Sequence, residues 1–189
     1  MTPTAVRNKE SFSPAAATAL WIALIAALCI GGSTVFACAA PFAAIGALAA
    51  AKMERMSGLI LVLVAWVANQ AVGFGLLEYP HTATTYAWGG AIGLGALVGF
   101  GAARVIVDAG KLPVLSLVLG FVAAFVAYQM TLYAASLVLG GSDYAFSGEI
   151  VWYVLKVNTL SFAGLLILQR LAVALPALRP AVAFAPATR

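Results

Sequence analysis

The chain has 189 residues, of which 64% are apolar and only 8% charged, and its net charge is +4. A soluble domain carries roughly 25% charged residues because water must solvate its surface. This composition therefore excludes a soluble enzyme, a nucleic-acid-binding domain and a disordered chain, despite the basic balance.

Lipid is the solvent the sequence suits, and at about 20 residues per crossing its length allows six or seven helical spans. Residues 1–14 carry Arg7 and Lys9 and read as a cytoplasmic segment. A cleaved signal peptide is the competing reading, but the apolar stretch ahead of Ala37-Cys38-Ala39 is too long for one. The uncharged run from Ser11 to Ala51 would reach roughly 60 Å as one helix, about twice the hydrocarbon thickness, so it is expected to hold two crossings. Gly31-Gly32-Ser33-Thr34 is the expected break, which gives helices over 15–31 and 35–51, the second kinked near Pro41. Further helices are predicted over 57–77, 83–106, 112–139 and 149–175, and residues 176–189 form a cytoplasmic tail containing Pro176, Pro180 and Pro186. The predicted fold is an all-α integral membrane protein, a single six-transmembrane-helix bundle over 15–175.

The basic residues give an independent check, because cytoplasmic loops collect Lys and Arg. Arg7, Lys9, Lys52, Arg55, Arg104, Lys111, Arg170, Arg179 and Arg189 all fall on one side of a six-span chain, and Lys156 lies inside a span. The first, third and fifth loops carry only the acidic Glu78, Asp143 and Glu149. Both termini are thus expected in the cytoplasm of a multi-pass protein of the bacterial inner membrane.

No phosphate-cradling G-x-x-x-x-G-K-[ST], H-E-x-x-H or C-x-x-C occurs, and no carboxylates pair within the spans, so no catalytic residue is assigned and no enzyme is expected. Small residues mark helix contacts in lipid. Gly89-x-x-x-Gly93 and Gly95-x-x-x-Gly99 stripe the fourth span and read as internal packing. Ala15, Ala19, Ala23 and Ala27 stripe the first, either as packing or as a docking face for another membrane subunit.

Tyr79, Tyr86, Trp88, Tyr133, Tyr144, Trp152 and Tyr153 crowd toward the outer half. They form either an asymmetric interfacial belt or an aromatic-lined cavity opening outward. His81, the sole histidine, stands in the outer loop Glu78-Tyr79-Pro80-His81-Thr82. It is either a solvated loop residue or an axial ligand, since one imidazole can complete a metal already held by a macrocycle. Asn69 and Gln70 are about 100° apart on their helix, so only one faces a given cavity. Lys156 reads equally as a snorkelling anchor or a ligand contact. Cys29 and Cys38 read as small packing residues, with Cys38 a second-choice soft ligand.

The segment Trp66-Val67-Ala68-Asn69-Gln70-Ala71-Val72-Gly73-Phe74-Gly75, continuing through Tyr79-Pro80-His81 to Ala87-Trp88-Gly89, is similar to the BtuM-like proteins that take up vitamin B12. The six short helices, the alanine stripe and the missing ATPase resemble the S components of energy-coupling-factor transporters. The resemblance implies that cobalamin is a transported ligand rather than an intrinsic cofactor. It also implies docking through Ala19, Ala23 and Ala27 to an energy-coupling transmembrane subunit with its ATPases. His81 occupies the place where the resemblance calls for a cobalt ligand, whereas BtuM-like proteins can use a cysteine. The expected site is therefore His81, Tyr79, Tyr86, Trp88, Asn69, Gln70, Tyr144, Trp152, Tyr153 and Lys156. A small metal or organic-solute permease and a non-catalytic assembly subunit are the alternatives.

Overall fold

The computed structural model describes residues 14–35, 40–140 and 143–174, and all of its regular structure is helical. The helices are α1 (Pro14–Val35), α2 (Phe42–Lys52), α3 (Arg55–Gly75), α4 (Ala83–Ala109), α5 (Pro113–Leu139) and α6 (Gly148–Ala174), with one 3-10 turn over Asp143–Phe146. Four of them, α3, α4, α5 and α6, are long and apolar enough to cross a membrane. Large apolar side chains such as Leu94, Val105, Val122 and Leu160 are exposed on them, as expected for helices solvated by lipid.

Close small-residue contacts set how the long helices run. A Cβ at Gly93 would lie 2.7 Å from the Trp66 ring, so α4 presses on α3 there, and Trp66 Nε1 donates to the Gly89 carbonyl at 2.9 Å. At the other end of the same seam Arg55 pairs with Asp108, so α3 and α4 are antiparallel. A Cβ at Gly99 would lie 3.0 Å from the Ala124 carbonyl oxygen, and one at Gly95 the same distance from the Tyr128 ring, which sets α5 antiparallel to α4. Both glycine stripes are therefore internal contacts, one toward α3 and the other toward α5. The bundle has a His81 end, where α3 turns into α4, and an Arg104 end, where α2 turns into α3 and α4 into α5.

The first two helices depart from expectation. The helix predicted over 15–31 runs on through Gly31, Gly32, Ser33 and Thr34 to Val35. Gly and Ser each weaken a helix by no more than about 1 kcal/mol, so without a proline these four small residues do not open it. Pro41 does not kink a span over 35–51. It stands at the N-cap of α2, a place that suits a residue with no amide hydrogen to give.

The 11 residues of α2 rise only about 16 Å, half the hydrocarbon thickness. Phe42 through Ala50 are all buried, with α3, α4, α5 and α6 packed around them. A sequence of mostly alanine and glycine makes this enclosure feasible, because backbones can approach closely: a Cβ at Gly46 would lie 3.3 Å from the Phe100 amide nitrogen.

A helix that begins and ends inside a bundle leaves amides and carbonyls without helical partners. Here neighbouring helices supply them. Asn158 Oδ1 of α6 accepts from the Ala44 amide at 3.2 Å, the amide just ahead of α2's own first bond, from Ile45 to the Pro41 carbonyl at 3.0 Å. At the opposite end Arg104 Nη1 of α4 donates to the Ala50 and Met53 carbonyls at 3.1 and 2.8 Å. α1 packs against α3 and buries Ala17, Trp21 and Ile25, one residue per turn, while Ala19, Ala23 and Ala27 are exposed.

Candidate ligand site at the His81 end

The α3–α4 loop is built around one unusual residue. Glu78 has φ 52°, a left-handed conformation that a non-glycine residue adopts at some cost. It folds the chain back over the end of α3, where the Tyr79 amide donates to the Gly73 carbonyl at 3.0 Å. The Tyr79 ring then lies on the Gly73 backbone, at 2.7 Å from where a Cβ would be, so only glycine fits beneath it.

Thr82 starts α4 as its N-cap, with Oγ1 accepting from the Thr85 amide at 3.2 Å. His81 immediately precedes this cap, and Tyr86 lies one turn inside it. The His81 Nδ1 and Tyr86 hydroxyl are 2.7 Å apart. Phe74 completes the group: its ring stacks on Tyr86 at 4.9 Å and 24°, and its centroid is 5.4 Å from that of His81 and 6.2 Å from that of Tyr79. His81 and Tyr86 are both exposed, so the group presents one imidazole beside a Tyr86 ring that is backed by Phe74.

Of the expected site residues, the structure joins Tyr79, His81 and Tyr86. Gln70 also belongs to this seam, since its side-chain oxygen lies 2.6 Å from where a Gly89 Cβ would be. Asn69 is half-buried, in register with Val62, Ala65 and Val72 and about 100° around α3 from Gln70. Trp88 does not join the His81 group. It stands about 200° around α4 from Tyr86, in register with Gly95 and Gly99 on the α5 side.

Trp152, Tyr153 and Lys156 are exposed on α6, where Trp152, Leu155, Lys156, Thr159 and Leu160 line a shallow groove of about 320 Å³. Near the start of α6, the ring of Tyr133 meets that of Phe146 edge-on at 5.4 Å. The aromatic residues of this end are thus held in separate groups, one on α3–α4 and another around α5 and α6. Cys38 and the Tyr144 side chain lie outside the described residues.

Phe74 was assigned no role from the sequence. Its signal was its position four residues after Gln70 on the α4-facing side of α3, one turn from the loop that carries His81. Among the described residues no three His, Cys, Asp or Glu side chains converge to hold a bare metal ion. What the group holds instead is one imidazole bonded to the Tyr86 hydroxyl beside the stacked Phe74 and Tyr86 rings. No protein-family model matches the chain, and no curated protein and no solved structure does.

Proposed function

We propose that the chain is a bacterial inner-membrane uptake protein for cobalamin or a related corrinoid, which binds at the His81 end with His81 Nε2 as the axial ligand of cobalt. The observation that carries the reading is the 2.7 Å bond between His81 Nδ1 and the Tyr86 hydroxyl. A metal-ligating histidine is normally oriented by a hydrogen bond from its other ring nitrogen, and with Nδ1 as the donor to Tyr86 the nitrogen on offer is Nε2. The Phe74–Tyr86 stack supplies an apolar face of the kind a macrocycle covers.

In this reading the chain crosses the membrane six times with both termini in the cytoplasm. The second crossing is the one that holds the short α2. The exposed Ala19, Ala23 and Ala27 dock an energy-coupling transmembrane subunit and its ATPases. The basic cluster of Lys52, Arg55, Arg104 and Lys111 around the Arg104 end supports that orientation.

The test is the absorption spectrum of the purified protein with cobalamin. Binding with displaced cobalt bands, lost in His81→Ala, supports the reading. Cobalamin bound with an unaltered spectrum places the site elsewhere. If no corrinoid binds, the reading fails and the exposed alanine face favours an assembly subunit. Cysteine labelling tests the orientation: positions beside Lys52 and Lys111 are expected inside, and positions beside His81 outside.

A further inference from the structure

At the Arg104 end, the α3–α4 seam opens a groove of about 290 Å³ lined by Arg55, Phe100, Gly101, Arg104, Val105 and Asp108. Its polar end is a fork of guanidinium donors around one carboxylate. Arg104 is bonded to Asp108 through Nε, and its Nη1 is spent on the Ala50 and Met53 carbonyls, so its Nη2 keeps two donors. Arg55 touches Asp108 only through Nη2 at 3.4 Å, and its side chain is 74% exposed. Glu54, the other carboxylate nearby, accepts from the Ser57 amide and hydroxyl at the start of α3. Lys52, Arg55 and Arg104 together outnumber Glu54 and Asp108 by three charges to two, which leaves a cationic surplus.

The other end of the groove is apolar and continues along α4. Leu94, Val98, Gly101 and Val105 recur at helical spacing as one exposed stripe. Gly101 makes a dip in that stripe, because a Cβ there would meet no atom within 4 Å. A phosphate-sized seat of guanidinium groups thus opens directly onto a shallow apolar track on the lipid-facing surface. A soluble anion has no use for the track, and a zwitterionic headgroup brings its own ammonium to a seat with surplus positive charge.

We propose that this groove seats an anionic diacyl phospholipid of the adjacent leaflet. Its phosphate lies on Arg55 and on Arg104 Nη2, and one acyl chain runs along Val105, Gly101 and Val98. Arg is suited to the seat because its planar fork binds phosphate oxygens in pairs.

The experiment is native mass spectrometry of the full chain in a neutral detergent, with phosphatidylglycerol and phosphatidylcholine offered in equal amounts. Phosphatidylglycerol is expected to be retained in preference, and Arg55→Gln is expected to cut that preference roughly fivefold, the factor for one basic residue at an anionic membrane surface. Gly101→Leu fills the dip from a Cβ that has no atom within 4 Å, and it is expected to reduce retained phospholipid while the helical circular dichroism stays unchanged. Equal retention of the two lipids, or retention unaffected by both substitutions, overturns the proposal. Displacement of the lipid by millimolar inorganic phosphate overturns it also, since the seat is then a free-anion site. None of these readouts involves a corrinoid.

Discussion

Asn158 and Ala44 are 114 residues apart in sequence, yet the Asn158 side-chain oxygen takes the Ala44 amide hydrogen inside the first turn of α2. The Asn158 amide is itself oriented, because Nδ2 donates to the Val154 carbonyl one turn back at 3.0 Å. Asn158 is fully buried, so no water competes for either bond. One side chain on α6 thus allows α2 to start inside the bundle, and Arg104 on α4 takes carbonyls at its other end, where α2 turns into α3.

Asn158→Leu keeps the volume and removes the cap. It leaves a buried amide without its acceptor, and the expected cost is about 1–3 kcal/mol of stability. Unfolding in detergent followed by circular dichroism reads this directly. A transition unchanged from wild type would show that the Ala44 amide does not depend on Asn158.

Two glycines two residues apart on α4 should respond in opposite ways. Gly99→Ala places a Cβ 3.0 Å from the Ala124 carbonyl oxygen, where only backbone could give way, and such overpacking costs about 1–3 kcal/mol. Gly101→Ala meets open space and gains helix propensity of up to about 1 kcal/mol. Equal effects in the same unfolding assay would show that the α4–α5 contact is not tight at Gly99.

The long helices were legible because their ends carry charges and turn residues: the Lys52–Arg55 turn, the Glu78–Thr82 loop and Pro113 bracket spans that the structure places within a few residues. The bounds of α1 and α2 were not, because a continuous apolar run has no period or charge to show where lipid is replaced by protein. In such a run Pro41 is compatible with a kink or with a helix start, and only the surrounding helices decide. Asn158 was visible as a polar residue needing a partner, but its partner is a backbone amide on another helix, which no local pattern encodes. Arg104 looked like one more basic residue of a loop, whereas its value lies in the two α2 carbonyls it reaches. At the site, the loop residues Tyr79 and His81 were legible from chemistry, and Phe74 was not, since one phenylalanine among 10 in an apolar chain carries no mark.

The exposed face of α1 offers a separate measurement. Ala19, Ala23 and Ala27 contribute little to the core that Ala17, Trp21 and Ile25 build, so Ala23→Leu is expected to leave folding and cobalamin binding intact. Uptake in whole cells is expected to fall sharply, because a larger side chain separates helices that associate by close approach. Loss of binding together with uptake would mean that Ala23 is an internal contact. Uptake by the pure protein alone in liposomes would remove the need for a partner.

Glu54 should give the Arg104 end an acid sensitivity. Its carboxylate is held below the ordinary value, first by the Met56 amide, then by the Ser57 amide, with Arg104 a smaller contribution. A depressed carboxylate stabilises the fold above its unfolded value and loses that stabilisation as the pH falls through its folded one. Wild-type unfolding is therefore expected to become easier over that acid range. Glu54→Gln should flatten this part of the profile, and an identical profile in the two proteins would exclude Glu54 as its source.

The sharpest expectation concerns His81 and Tyr86. For Nε2 to reach a corrinoid cobalt as a lone pair, Nδ1 must carry the ring proton and donate it to the Tyr86 oxygen across their 2.7 Å contact. Tyr86→Phe keeps the stack on Phe74 and removes the acceptor. It is expected to weaken cobalt ligation about 10-fold or more while leaving the shape of the bound spectrum unchanged, as for loss of an orienting partner. His81→Ala is expected to abolish the spectral shift itself, with residual affinity from the aromatic face, and His81→Cys to restore ligation with a different spectrum. If Tyr86→Phe and His81→Ala both bind with the wild-type spectrum and affinity, the imidazole is a loop residue and the corrinoid lies elsewhere. If Tyr86→Phe alone is silent, His81 ligates without an orienting bond, and the 2.7 Å contact sets only the resting position of the ring.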